Sequence, residues 1–102
     1  MIELRRYQRA PLEVDVAFTL KGGQERLAGR SKDISLGGMF VLTQQPAAFG
    51  AEVVVYATLP GEKAPFAMPG VVRWCRPDGM GVQFGNLGAR ETHAITELTK
   101  VP

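Results

Sequence analysis

One cysteine, one histidine and one tryptophan are present among 102 residues, and each scarcity removes a class of chemistry. The lone thiol, Cys75, can neither close an internal disulfide nor build a cysteine-rich metal centre, and its apolar, strand-like surroundings predict a buried side chain. The lone histidine, His93, could complete a catalytic triad only with Ser35 and Asp33, yet Ser35 lacks the glycine-flanked elbow on which hydrolases expose a nucleophile. His93 and Glu97, four apart on a predicted helix, supply two metal ligands where a structural site needs about four. No phosphate-loop or dinucleotide fingerprint occurs, because Gly37-Gly38 precedes a strand rather than opening a helix. These gaps predict a protein that is not an enzyme and carries no cofactor or metal.

Long hydrophobic runs are also missing. None approaches the roughly 20 residues of a membrane-crossing helix, and no signal-like apolar stretch follows Met1 to Arg6. A cytoplasmic protein without a membrane partner is the expectation. The net charge of +2 is too small for general DNA or RNA binding, so neither nucleic acid is an expected partner. Most of the aromatic residues fall in segments that strands would bury; Trp74 is read as core, against a stacking platform for single strands.

What is present is strand-like. A chain this long forms one domain, burying roughly two-thirds of its unfolded surface. Val14, Val16, Phe18 and Leu20 alternate with polar or small residues, the period of a half-buried strand, and Lys21-Gly22-Gly23-Gln24 follows as a hairpin turn. Further strands are predicted from about Arg26 to Ile34, Met39 to Thr43, Glu52 to Leu59, Phe66 to Cys75 and Met80 to Phe84. Pro69-Gly70 inside the fifth suggests an edge position or a bulge. Six short strands at this spacing predict an all-β sandwich or barrel. After Asn86, read as a cap, Ala94, Ile95, Leu98 and Val101 recur at helical spacing and predict a C-terminal helix over residues 88–100.

Two polar clusters stand out against this background. Asp33-Ile34-Ser35-Leu36-Gly37-Gly38 offers a carboxylate acceptor, a hydroxyl that donates and accepts, and two glycines that allow positive φ and a close backbone approach. Arg5, Arg6 and Arg9 fall within five residues ahead of Ala10-Pro11, on a predicted arm over residues 1–10. Each cluster has a plain structural alternative, a self-capped turn for the first and a solvated terminus for the second. Combined, they suit a guanine nucleotide: the arginine fork matches phosphate oxygens and the O6/N7 edge, and a carboxylate matches the guanine donors.

Arg5-x-x-x-Arg9 and Asp33-x-Ser35-x-x-Gly38 resemble, in order and separation, the two signature motifs of the PilZ family of cyclic di-GMP receptors. The Arg73-Trp74 strand end, Gly79-Met80-Gly81-Val82-Gln83-Phe84 and the closing helix extend that resemblance over nearly the whole chain. It implies a single domain, with a six-stranded Greek-key β-barrel over residues 12–84 and a C-terminal α-helix. It implies further that cyclic di-GMP binds at the barrel's outer edge under the folded arm. Arg5 and Arg9 would clasp guanine and phosphate, Asp33 would take a guanine edge, and Ser35, Gly37 and Gly38 would line the floor. Leu4 in place of an arginine suggests one nucleotide per site; Arg6 could stack on a second. By the same resemblance an unidentified protein effector reads the altered surface of a bacterial monomer or weak homodimer, in motility or biofilm regulation. The alternative is an interaction module that binds no nucleotide.

Overall fold

The computed structural model describes residues 8–100, so the predicted roles of Arg5 and Arg6 lie outside the described residues. Seven strands and one helix follow in order: β1 (Ala10–Pro11), β2 (Asp15–Leu20), β3 (Leu27–Ser35), β4 (Gly38–Leu42), β5 (Glu52–Ala57), β6 (Phe66–Arg76), β7 (Gly79–Phe84) and α1 (Ala89–Thr99). No helix among them is long and apolar enough to cross a membrane.

All pairings are antiparallel, and six strands close on themselves in the order β3-β2-β5-β6-β7-β4 with β4 returning to β3. β2, β3 and β4 are consecutive neighbours, and β5 lies beside β2, which is the Greek-key arrangement. Closure gives each of the six barrel strands a neighbour on both sides. Inside sit Phe18, Ile34, Met39, Val41, Val55, Met68, Val72 and Met80, each almost wholly buried. α1 adds Ala94 and Ile95 to this core and packs on β3. Its N-cap is Gly88 rather than Asn86, with no side-chain cap. Arg90 holds the helix to the neighbouring loop, its guanidinium 5.3 Å from the Phe66 ring centre and 3.8 Å from Glu62 Oε1.

Several expectations about the sixth element need correction. β6 is not an edge strand, and Pro69 does not interrupt it; only the Pro69 carbonyl is engaged there, accepting from Gly85 N at 2.8 Å, because β7 has ended at Phe84. The bulge lies further along, between Val72 and Trp74. Phe66, Met68, Gly70 and Val72 face inward at period two, and unbroken alternation would put Trp74 inside with them. The extra residue, Arg73, reverses the parity, and Trp74 emerges 60% exposed. Cys75 is exposed as well, since pairing with β5 stops at Val71 and leaves that side of the strand open. Phe49, on the loop between β4 and β5, is also exposed rather than buried.

β3 repeats the device. Gly29 and Ser31 point inward, and a register shift between Ser31 and Asp33 lets Ile34 take the next inward position while Asp33 turns out. Both bulges therefore expose a side chain that simple alternation would bury.

Two glycines show why the outer surface can carry anything here. A Cβ on Gly38 would stand 2.1 Å from the Val82 carbonyl oxygen, so β4 reaches β7 only because position 38 has no side chain. A Cβ on Gly81 would meet the Trp74 ring, 2.5 Å from Cε3. The first obstacle is backbone and cannot move; the second is an exposed ring that can. Gly38→Ala is therefore expected to lower stability by about 1–3 kcal/mol or more in chemical denaturation. Gly81→Ala should cost clearly less while shifting the emission of the sole tryptophan, and equal losses would contradict this account of the two contacts.

Candidate functional site

The parity reversals in β3 and β6 meet on one outer face. Asp33 pairs with Phe40, Phe40 with Gly81 and Gly81 with Trp74, a single cross-strand row over β3, β4, β7 and β6. An open groove of about 690 Å³ runs along it, lined by Arg9, Asp33, Ser35, Gly37, Gly38, Phe40, Trp74, Cys75, Arg76, Gln83 and several neighbours.

Arg9 reaches the groove because β1 extends the β2 line along the second half of β3, with Ala10 opposite Ile34 and Pro11 opposite Asp33. Its Nη1 donates to Asp33 Oδ1 at 2.9 Å, and both side chains remain about one-third exposed. The Asp33 carboxylate makes no other hydrogen bond among the described residues and caps no backbone amide there. The structural alternative of a self-capped turn thus fails for Asp33. It holds for Ser35, whose buried hydroxyl accepts from Gly37 N at 3.1 Å. Gly38 is likewise required by barrel closure, and neither Gly37 nor Gly38 has positive φ, which occurs instead at Gly22, Gly50 and Gly61. These two glycines lie at the groove in ordinary extended or turn backbone, with no left-handed residue between the motif's aspartate and β4.

The far wall holds residues that sequence reading did not assign to the site. Trp74 lies over Gly81; the Arg76 guanidinium carbon is 5.2 Å from the Phe40 ring centre, and Arg73 Nε donates to Gln83 Oε1 at 2.8 Å. One signal was available. Gly79 and Gly81 alternate with Met80 and Val82, so β7 offers a bare outer face on which a large ring can rest. Arg9, Lys32 and Arg76 line the groove against the single carboxylate of Asp33, an excess of positive charge suited to an anion with donors for that carboxylate. His93 stands on the exposed face of α1, away from the groove lining, and no cluster of three or more metal-ligating side chains occurs among the described residues.

Known structures share this architecture. The PilZ domain of CeSA from a cellulose-synthesizing bacterium superposes with a TM-score of 0.71 at 19% identity, covering 89% of this chain and 93% of that one. The PilZ domain with c-di-GMP of YcgR from Escherichia coli gives 0.74 at 16% identity, covering 95% and 89%. The inhibitor of motility MotI/DgrA from Bacillus subtilis gives 0.73 at 24% identity, covering 94% of this chain and 49% of that one. A search of curated proteins finds no significant match. A sequence model of the PilZ domain, however, matches residues 3–100. With nearly its full length matched and a closed six-stranded barrel, the chain belongs to the PilZ domain family.

Proposed function

We propose that the protein is a receptor for cyclic di-GMP and that the groove between Arg9 and Trp74 is its binding site. The observation that carries this reading is the outward-facing Arg9–Asp33 pair at 2.9 Å beside the Asp33-x-Ser35-x-x-Gly38 turn. A guanidinium and a carboxylate side by side match the acceptor and donor edges of guanine, and the same guanidinium can take a phosphate oxygen. Opening the pair for a ligand costs little, since an exposed ion pair contributes only about 0–1 kcal/mol. Asp33 and Arg9 can then exchange each other for a nucleotide without loss of hydrogen bonds. Trp74 supplies an exposed ring face for a base, and Lys32 and Arg76 add charge against two phosphates.

Among the described groove residues, the Ser35 hydroxyl serves the turn and the Cys75 thiol has no histidine beside it, since His93 stands apart on the helix. The role proposed is binding. In this reading Arg5 and Arg6 close over the nucleotide with Arg9, and the surface so formed is read by a protein effector. A ligand shifts the arm only through contacts made in the closed state and absent in the open one.

Calorimetry with cyclic di-GMP against linear GMP tests the proposal, with saturable binding of the cyclic compound as the expected result. No heat and no thermal stabilisation with cyclic di-GMP would leave instead an interaction module that binds no nucleotide. Charge-assisted hydrogen bonds contribute about 1.5–3 kcal/mol, so Arg9→Ala should weaken binding by roughly ten- to a hundredfold while the free protein unfolds at nearly its original temperature. Asp33→Ala should likewise cost affinity and little stability, because the carboxylate caps no described amide. Were it a cap after all, the ligand-free protein would lose about 1 kcal/mol.

A further inference from the structure

The path from β1 to β2 contains one residue too many. Pro11 lies opposite Asp33 and Asp15 opposite Arg30, so Leu12, Glu13 and Val14 must be accommodated against Ser31 and Lys32. Leu12 N donates to Lys32 O at 3.2 Å and Ser31 N to Val14 O at 2.9 Å, which leaves Glu13 as the surplus residue between two ladder bonds. A surplus residue can in principle be taken up elsewhere along the pair, and a slip of one position turns every side chain beyond it to the opposite face. Arg9 lies beyond it.

The Ser31 side chain sits at that point, fully buried. Its hydroxyl donates to the Leu12 carbonyl and accepts from Val14 N at 3.0 Å, so one side chain grips both residues that flank Glu13. From outside, Arg30 takes the Glu13 carbonyl at 2.9 Å and Asp15 Oδ1 at 2.9 Å. The inner grip has the stricter geometry, because a fully buried hydroxyl has no water to turn to.

We propose that Ser31 is a positioning residue for Arg9: by pinning the surplus residue at Glu13, its buried hydroxyl sets the register of β1 and so presents Arg9 to Asp33 and to an anionic ligand. Ser31 touches neither the groove nor the ligand; it acts through the strand. The inference rests on the cyclic di-GMP reading for its effect on affinity, and on the fold alone for its effect on β1.

The test uses Ser31→Ala, with Ser31→Cys, close in volume but a weak donor, read in the same way where the alanine variant does not fold. Calorimetry with cyclic di-GMP should show about a tenfold loss of affinity, and in an Arg9→Ala background the same substitution should change affinity by less than about twofold. Unchanged affinity in the wild-type background overturns the proposal, as does an equal loss in both backgrounds. Amide exchange in the ligand-free protein supplies the second arm. Leu12 and Val14 should exchange faster in the variant while Val53 and Val55 of β5 keep their protection, and unchanged exchange at Leu12 and Val14 overturns the proposal. If Arg9→Ala itself binds as tightly as wild type, the nucleotide reading fails and the exchange arm alone decides the role of Ser31.

Discussion

A closed barrel of six short strands has an interior wide enough only for side chains, and the two-residue period of a strand decides which of them go in. Every other property of this protein depends on that parity. Closure commits the inward set to Phe18, Ile34, Met39, Val55, Met68, Val72 and Met80 and turns most charged groups to the outer face. A bulge is the one local device that changes the assignment without breaking the ring. The chain uses it in β3 and in β6, just ahead of Asp33 and Trp74, and both reversals open on the same groove.

This explains what could be read in advance. Alternation in Val16 and Phe18, the turn residues at Lys21-Gly22, and the apolar run of Glu52 to Ala57 are local signals, and the strands they mark are in place. The two motifs were legible as chemistry, and the fold brings Arg9 and Asp33 together across 24 positions of sequence. Trp74 was read as core because it falls in a strand-like segment, and no glycine or proline announces the bulge at Arg73 that turns it outward. Cys75 was read as buried from its apolar neighbours in sequence, but its exposure depends on where β5 ends, a property of another strand. Arg76 and Gln83 were invisible for a different reason. Gln83 joins the groove through the β4–β7 pairing, opposite Gly38, and Arg76 through the β6–β7 pairing, opposite Gly79.

Within the Asp33–Gly38 turn, the residues divide between two tasks. Ser35 and Gly38 are spoken for by the fold, one closing the turn on Gly37 and the other allowing β4 to meet β7. Among the described residues the Asp33 carboxylate is held by Arg9 alone, from a separate stretch of chain. A motif of this kind is half scaffold and half contact, and substitutions at its members should be expected to fail for different reasons.

The row from Asp33 through Phe40 and Gly81 to Trp74 has one more implication. Its length is three steps between strands, each about 4.8 Å, or roughly 14 Å along the sheet between the backbones of Asp33 and Trp74. That spacing belongs to the backbone ladder and cannot be lengthened or shortened by changing side chains. Substitution can alter the charge of the two walls or the height of the floor between them, but the separation of the walls is counted in strands. The groove is in this sense a ruler with fixed graduations, and any molecule that touches both ends must come in a size the barrel has already chosen.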